Sequence, residues 1–135
     1  EHDSEQGLSF DEFMRASMAR TACHAQMLRL LEHCDALALP VAQVWPFDAQ
    51  QHWPTEIAGR AMDTYHRWME VTLYATFAGL PAVCVPAGFD ASGRWRMGFQ
   101  LIGRPGADAQ LLQLAALYEQ VAAPLLKMRP PSASQ

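Results

Sequence analysis

Lysine is almost missing from this chain: Lys127 is the only one among 135 residues. Ten basic residues stand against fourteen acidic ones, a net charge of -4, and the cations are mostly isolated arginines. Phosphate recognition needs clustered positive charge, so nucleic acid is excluded as an expected partner. No run of about 18 apolar residues occurs, which leaves nothing to span a membrane. The opening Glu1-His2-Asp3-Ser4-Glu5 is polar and lacks the apolar centre of a signal peptide. Cysteine is scarce and odd in number, three in all. A secreted disulfide scaffold carries more, in even number, so the expected setting is reducing and cytoplasmic. Gly98, Gly103 and Gly106 do not make a dinucleotide fingerprint, and no glycine-rich phosphate loop is present. No cofactor is expected. The first residue is Glu rather than Met, and the chain reads as a fragment of a longer protein.

What is present is apolar. Half the residues are hydrophobic and 18% are charged, the balance of a packed globule. The length suits one domain with a sizeable core. Residues 1–8 form a polar lead-in, 9–126 the folded part, and 127–135 a flexible tail. Ser9 with Glu12 three residues on has the form of a capping box, so a helix follows and ends near His33. Its apolar face is Phe10, Met14, Met18, Ala25 and Leu28, widened by Phe13, Ala22 and Leu31. Ala36 to Leu39, closed by Pro40, reads as a short buried strand. Val41 to Pro54 has no period and two X-Pro bonds, the marks of a long loop.

A second helix is expected from a cap at Thr55 or Asp63, with Met62, Tyr65, Met69, Leu73 and Phe77 inward. Gly79 then Pro81 terminate it. A strand at Ala82–Val85, a turn at Gly88–Gly93 and a second strand at Trp95–Arg104 form an expected antiparallel pair. Gly98 inside the second strand points to close approach of another backbone. Asp108 should cap a last helix with Leu111, Leu112, Ala115, Tyr118, Val121 and Ala122 inward, ended or bent by Pro124.

Few residues here carry chemistry. Cys23-His24 and His33-Cys34 suggest a metal site. Along a helix, however, eleven residues set the two cysteines roughly 16 Å apart, too far for one tetrahedral ion. No metal is expected. Asp63/Arg67 and His66/Glu70 have the spacing of surface ion pairs on a helix. Ser92 lacks the glycine context of a nucleophile elbow and reads as a turn residue. Trp45, Phe47, Trp53, Tyr65 and Trp68 are an aromatic concentration that fits a pocket wall, an interface patch or a loop-covered core. Trp45, Phe47 and Trp53 are the substrate-pocket candidates. No residue set supplies a nucleophile with its base, so no catalytic residue is assigned.

The ordered segments Cys34-Asp35-Ala36-Leu37-Ala38-Leu39-Pro40, Gly79-Leu80-Pro81-Ala82, Val85-Pro86-Ala87-Gly88-Phe89, Gly98-Phe99-Gln100-Leu101-Ile102-Gly103-Arg104 and Leu111-Leu112 to Tyr118-Glu119 resemble the C-terminal region of the amidase signature family. The resemblance covers most of residues 9–121. Thr76 stands where that family has Asn, and Arg96-Met97 precede Gly98 where it commonly has Pro. The resemblance implies an α/β fold, a mixed β-sheet covered by helices, of which this chain is the C-terminal part. It implies hydrolysis of carboxylic amides by a serine nucleophile, a second serine in a cis peptide and a lysine, all lying upstream and none matched here. The implied partners are a small amide substrate, the remaining N-terminal part of the amidase, and, through unpaired sheet edges, further copies of the chain. Two alternatives stand beside this reading: a non-catalytic partner-binding module, and the A subunit of a glutamyl-tRNA amidotransferase.

Overall fold

The computed structural model describes residues 7–127. Most of the polar lead-in and all but the first residue of the tail lie outside that range. The sheet is the organising feature. Strand β1 (Leu37–Pro40), β4 (Ala82–Phe89) and β5 (Arg96–Ile102) form one antiparallel sheet in the order β1-β5-β4. The strand made last is therefore the middle one. A separate two-stranded ladder joins β2 (Glu56–Ile57) to β3 (Arg60–Ala61).

Helix α1 (Phe10–Leu30) begins with the expected capping box. Glu12 N–H donates to Ser9 Oγ at 3.3 Å, and Ser9 N–H donates to Glu12 Oε2 at 2.9 Å. The same serine hydroxyl and N–H hold the Glu12 pKa below its ordinary value. A short 3-10 turn, Leu31–His33, ends the element. Arg104, two residues past the end of β5, donates from Nη2 to the carbonyls of Leu31 and Glu32 at 2.6 and 3.3 Å, satisfying the orphan acceptors there.

The second expected helix is interrupted. Residues 55–61 turn back as the β2–β3 hairpin, with Ala58 and Gly59 both at positive φ, the geometry of a two-residue primed turn. Helix α2 (Tyr65–Trp68) and α3 (Glu70–Ala78) follow, separated at Met69. Neither Thr55 nor Asp63 caps them, since Thr64 occupies the cap of α2 without a side-chain bond. The physical reason for the break is Gln43. Its Oε1 accepts from Val71 N–H at 3.0 Å and its Nε2 donates to the Arg67 carbonyl at 3.4 Å, replacing helical bonds from a distant loop. Asp63 pairs with Arg67 as expected, whereas Glu70 pairs with Arg60 rather than with His66.

Gly79 closes α3 at φ 64°. Leu80 N–H reaches the Ala75 carbonyl and Gly79 N–H that of Thr76, the double bond of a Schellman ending. The chain enters β4 directly. Beyond the expected Val85, β4 runs on to Phe89 through a bulge between Pro86 and Gly88. Asp90 organises the tight turn into β5. Its carboxylate accepts from the N–H groups of Ser92, Arg94 and Trp95. At Gly98 a Cβ would lie 2.9 Å from the Val85 carbonyl oxygen and 3.2 Å from Val41 Cγ1, the close backbone approach that the glycine foretells.

Two cores lie on opposite faces of the sheet. Met27, Leu31, Ala75, Ala78, Leu80 and Ile102 fill one, under α1 and α3. Val85, Leu101, Leu111 and Ala115 fill the other, under α4 (Asp108–Val121). Ala107, not Asp108, is the α4 cap. Of its expected inward residues, Leu112 is 63% and Val121 is 83% exposed, because α4 meets the sheet along a narrow line through Leu111, Ala115 and Tyr118. Pro124 lies in the first turn of α5 (Ala123–Lys127), where its missing N–H is harmless, so it bends the chain rather than ending it.

Candidate functional site

Four of the five aromatic residues singled out from the sequence form a connected row. Phe47 meets Trp68 edge-on at 5.7 Å, Trp68 meets Tyr65 at 5.8 Å, and Tyr65 meets Trp53 at 6.0 Å. The Val41–Phe47 loop folds against this row and against the start of β5. Between them lies a recess of about 240 Å³ with Val44, Trp45, Phe47, Trp68 and Met97 in its wall. Trp45 and Phe47 thus share one cavity. Trp53 stands outside it, at the other end of the row, where its indole N–H donates to the Met62 carbonyl at 3.2 Å. Trp68 Nε1 is buried and has no hydrogen-bond partner among the described residues. Arg96 also borders the recess, its guanidinium 4.8 Å from the Phe89 ring centre.

A larger recess, about 540 Å³, lies between α1 and α3, with Phe13, Ala16, Ala19, Cys23 and Phe77 in its wall. The sequence reading missed what happens at its edge. Arg20 Nε donates to the Phe77 carbonyl at 3.0 Å. His24 Nδ1 lies 2.7 Å from the Ala78 carbonyl, and because a carbonyl only accepts, Nδ1 carries the proton. Both side chains therefore serve the C-terminal end of α3, where positive charge and donors are favoured. Ser17, Arg20, Thr21 and His24 fall on one face of α1 and border a polar annex of about 270 Å³. Their spacing of three, four and seven residues was the available signal.

Two of the described serines make hydrogen bonds within their own turns. Ser9 is engaged in its cap. Ser92 donates its hydroxyl proton to Asp90 Oδ2. Asp90, first by that hydroxyl and then by the Trp95 N–H, is held at a pKa of about 2, too acidic for a general base near neutrality. Lys127 sits exposed in α5. Among the described residues no group of three or more His, Cys, Asp or Glu could hold a metal ion, and no helix is long and apolar enough to cross a membrane.

Comparison with known proteins places this geometry. The Amidase family model matches residues 4–112. The glutamyl-tRNA(Gln) amidotransferase A subunit of Symbiobacterium thermophilum is 38% identical over 111 residues, covering 81% of this chain and 21% of the relative. The protein of the same name from Myxococcus xanthus is 33% identical over 108 residues, again covering 21% of its length. The chain thus spans about a fifth of these curated relatives. Among solved structures, a bacterial aryl acylamidase of the amidase signature enzymes matches with a TM-score of 0.77 and 25% identity, over 90% of this chain and 25% of that one. The glutamyl-tRNA(Gln) amidotransferase A subunit from Thermotoga maritima matches with a TM-score of 0.61 and 27% identity, over 90% and 23%. The matched segment is the C-terminal part of such proteins. With the family model matched over residues 4–112, the chain belongs to the amidase signature family.

Proposed function

We propose that this chain is the scaffold part of a serine hydrolase that cleaves carboxylic amides, and that it is inactive by itself. The observation that carries the reading is the family match over residues 4–112, in a chain whose single lysine, Lys127, lies outside the matched span. The nucleophilic serine, the serine of the cis peptide and the lysine belong to the part that precedes this segment. Acyl-enzyme formation and hydrolysis, with backbone N–H groups at the oxyanion, would proceed there. This segment contributes strands to the shared sheet and the helices that cover it. In the recess behind β5, Trp45 and Phe47 would present an apolar wall to the substrate, and Trp53 would brace that wall through Tyr65 and Trp68. The three cysteines are free, in keeping with a reducing, cytoplasmic setting, and the uncovered apolar surface favours association with further copies.

A test separates the parts. The purified 135-residue chain is assayed against a panel of aliphatic and aryl amides, alone and completed by an upstream amidase part. No turnover by the chain alone and turnover on completion are expected. Turnover by highly purified chain alone would overturn the proposal.

The curated relatives favour a second reading, since they are named as amidotransferase A subunits. On it, the completed protein would release ammonia from an amide donor only together with partner subunits. Glutamine hydrolysis that rises on adding such subunits would select this reading over a free-standing amidase.

A further inference from the structure

Among the described residues one polar side chain is buried: Gln100 on β5, 4% exposed. A primary amide taken out of water needs partners. Gln100 Nε2 donates to the Pro40 carbonyl at 3.1 Å and to the Val71 carbonyl at 2.9 Å. Both partners only accept, so the atom they share is the nitrogen. Gln100 lies on the same face of β5 as Ile102, two residues on, whose core includes Ala75 and Ala78 of α3.

Val71 is thereby held at both of its backbone groups. Gln100 takes its carbonyl, and Gln43 Oε1 accepts its N–H at 3.0 Å. Gln43 Nε2 also donates to the Arg67 carbonyl at 3.4 Å, on the other side of the Met69 break. One glutamine from a loop and one from the middle strand thus grip the junction of α2 and α3. These bonds tie together the walls of the recess behind β5. Gln43 belongs to the loop that carries Trp45 and Phe47, and Pro40 leads into it. Arg67 and Val71 flank Trp68 in the chain. Val41 N–H donates to the Gly98 carbonyl at 3.1 Å, which fixes the start of the loop to the third wall. The edge-on contact of Phe47 with Trp68 spans the distance that these attachments set.

We propose that Gln100 and Gln43 act together as positioning residues that set the width of this recess, and so select amides by the bulk of the group that enters it. The proposal rests on the amide-hydrolase reading above. Neither glutamine touches substrate; both act through Trp68 and Phe47. A gap of about 0.5–1 Å forfeits roughly a quarter to a half of a dispersion contact. A small displacement of Trp68 therefore penalises an aryl group, which makes many such contacts, far more than a small aliphatic one.

The probes are acetanilide and acetamide, an aryl and a small amide with the same acyl group. Gln100→Leu keeps most of the side-chain volume and leaves two carbonyls without their donor. In the full 135-residue chain it should speed amide exchange at Val41 and Val71 at least about tenfold and leave Leu111 and Ala115, in the other core, unchanged. Acetanilide should shift the indole N–H signals of Trp45 and Trp68 in the wild-type chain, and acetamide should not. Gln100→Leu and Gln43→Ala should each weaken acetanilide binding several-fold. The double variant should weaken it little more than either alone, because two halves of one clamp do not add. Tyr118→Phe, across the sheet on α4, is the control for general loss of stability and should leave binding unaltered. In the completed enzyme each glutamine variant should raise KM for acetanilide several-fold, with kcat within about twofold and KM for acetamide unmoved.

Four results would overturn the proposal: no acetanilide binding by the wild-type chain, exchange that rises evenly in both cores, additive effects of the two variants, or a loss of binding no greater than that of Tyr118→Phe. If Gln100→Leu does not fold, Gln43→Ala decides alone, by exchange at Val41 and by acetanilide binding. Turnover is read separately. Binding that depends on both glutamines without turnover on completion would sink the activity and leave the clamp, and turnover with binding indifferent to them would do the reverse.

Discussion

Tyr118 on α4 donates its hydroxyl to the Pro86 carbonyl at 2.6 Å, while its ring stands edge-on to Phe99 at 5.0 Å. One side chain thus ties α4 to both β4 and β5. Tyr118→Phe keeps the ring contact and strands the carbonyl. It should cost about 1 kcal/mol, seen as a lower urea midpoint at unchanged m-value; an unchanged midpoint would show that the bond contributes nothing.

Gly98 tests the sheet from inside. A methyl group there meets a backbone oxygen at 2.9 Å, and β5 is held on both sides. Gly98→Ala should destabilise by about 1–3 kcal/mol through forced strand displacement. Gly7→Ala, where the new Cβ meets nothing within 4 Å, is the control and should change little. Equal effects of the two would refute the crowding argument.

Gln43 should behave as a remote helix cap. Gln43→Ala removes the acceptor for Val71 N–H and the donor to the Arg67 carbonyl. A loss of about 1–2 kcal/mol is expected, with faster amide exchange concentrated at the start of α3. Faster exchange spread evenly over the chain would point instead to global loosening.

These cases divide what could be read from the residues from what could not. The capping box at Ser9, the left-handed Gly79 and the crowded Gly98 are local signals, each needing only a few neighbours to make sense, and each stands where the sequence placed it. The antiparallel β4–β5 pair was legible because its turn is short. The break at Met69 was not, because its cause is a side chain 26 positions earlier in a loop without periodicity. The β2–β3 hairpin was hidden by the apolar positions of an apparent helix, although Ala58-Gly59 carries a weak turn signal. In the aromatic recess, residue types revealed a cluster; only the fold shows that Trp45 and Phe47 share a cavity while Trp53 faces away. The roles of Arg20 and His24 were not legible because the carbonyls they serve lie more than fifty residues later.

Acid should expose the Asp90 turn. Its pKa falls from an ordinary 3.8 to about 2, chiefly through the Ser92 hydroxyl and then the Trp95 N–H. A folded-state pKa below the unfolded one stabilises the fold above pH 3.8, and that contribution is lost as pH falls from there toward about 2. Asp90→Asn should flatten the stability profile within that window and leave its shape above pH 5, roughly one unit clear of the transition, unaltered. A wild-type-like acid limb in the variant would assign the loss to other carboxylates.

If the recess behind β5 meets substrate, Trp45→Ala and Phe47→Ala in the completed enzyme should raise KM for bulky aryl amides more than for small aliphatic ones. A several-fold difference is expected from the lost apolar contact. Trp53→Ala, which removes the bond to the Met62 carbonyl, should lower thermal stability with less effect on that selectivity. Identical KM ratios in all three variants would remove the recess from substrate recognition.

The placement of β5 between β1 and β4 has a consequence for biosynthesis. A ribosome releases β1 some sixty residues before its hydrogen-bonding neighbour exists, and α1 waits still longer for the guanidinium of Arg104 to fasten its end. The nascent chain must keep Leu37 and Leu39 from rival pairings until residue 102 has cleared the exit tunnel. Slowing translation after residue 96 should then raise the yield of misassembled chain, whereas a pause before residue 37 should not.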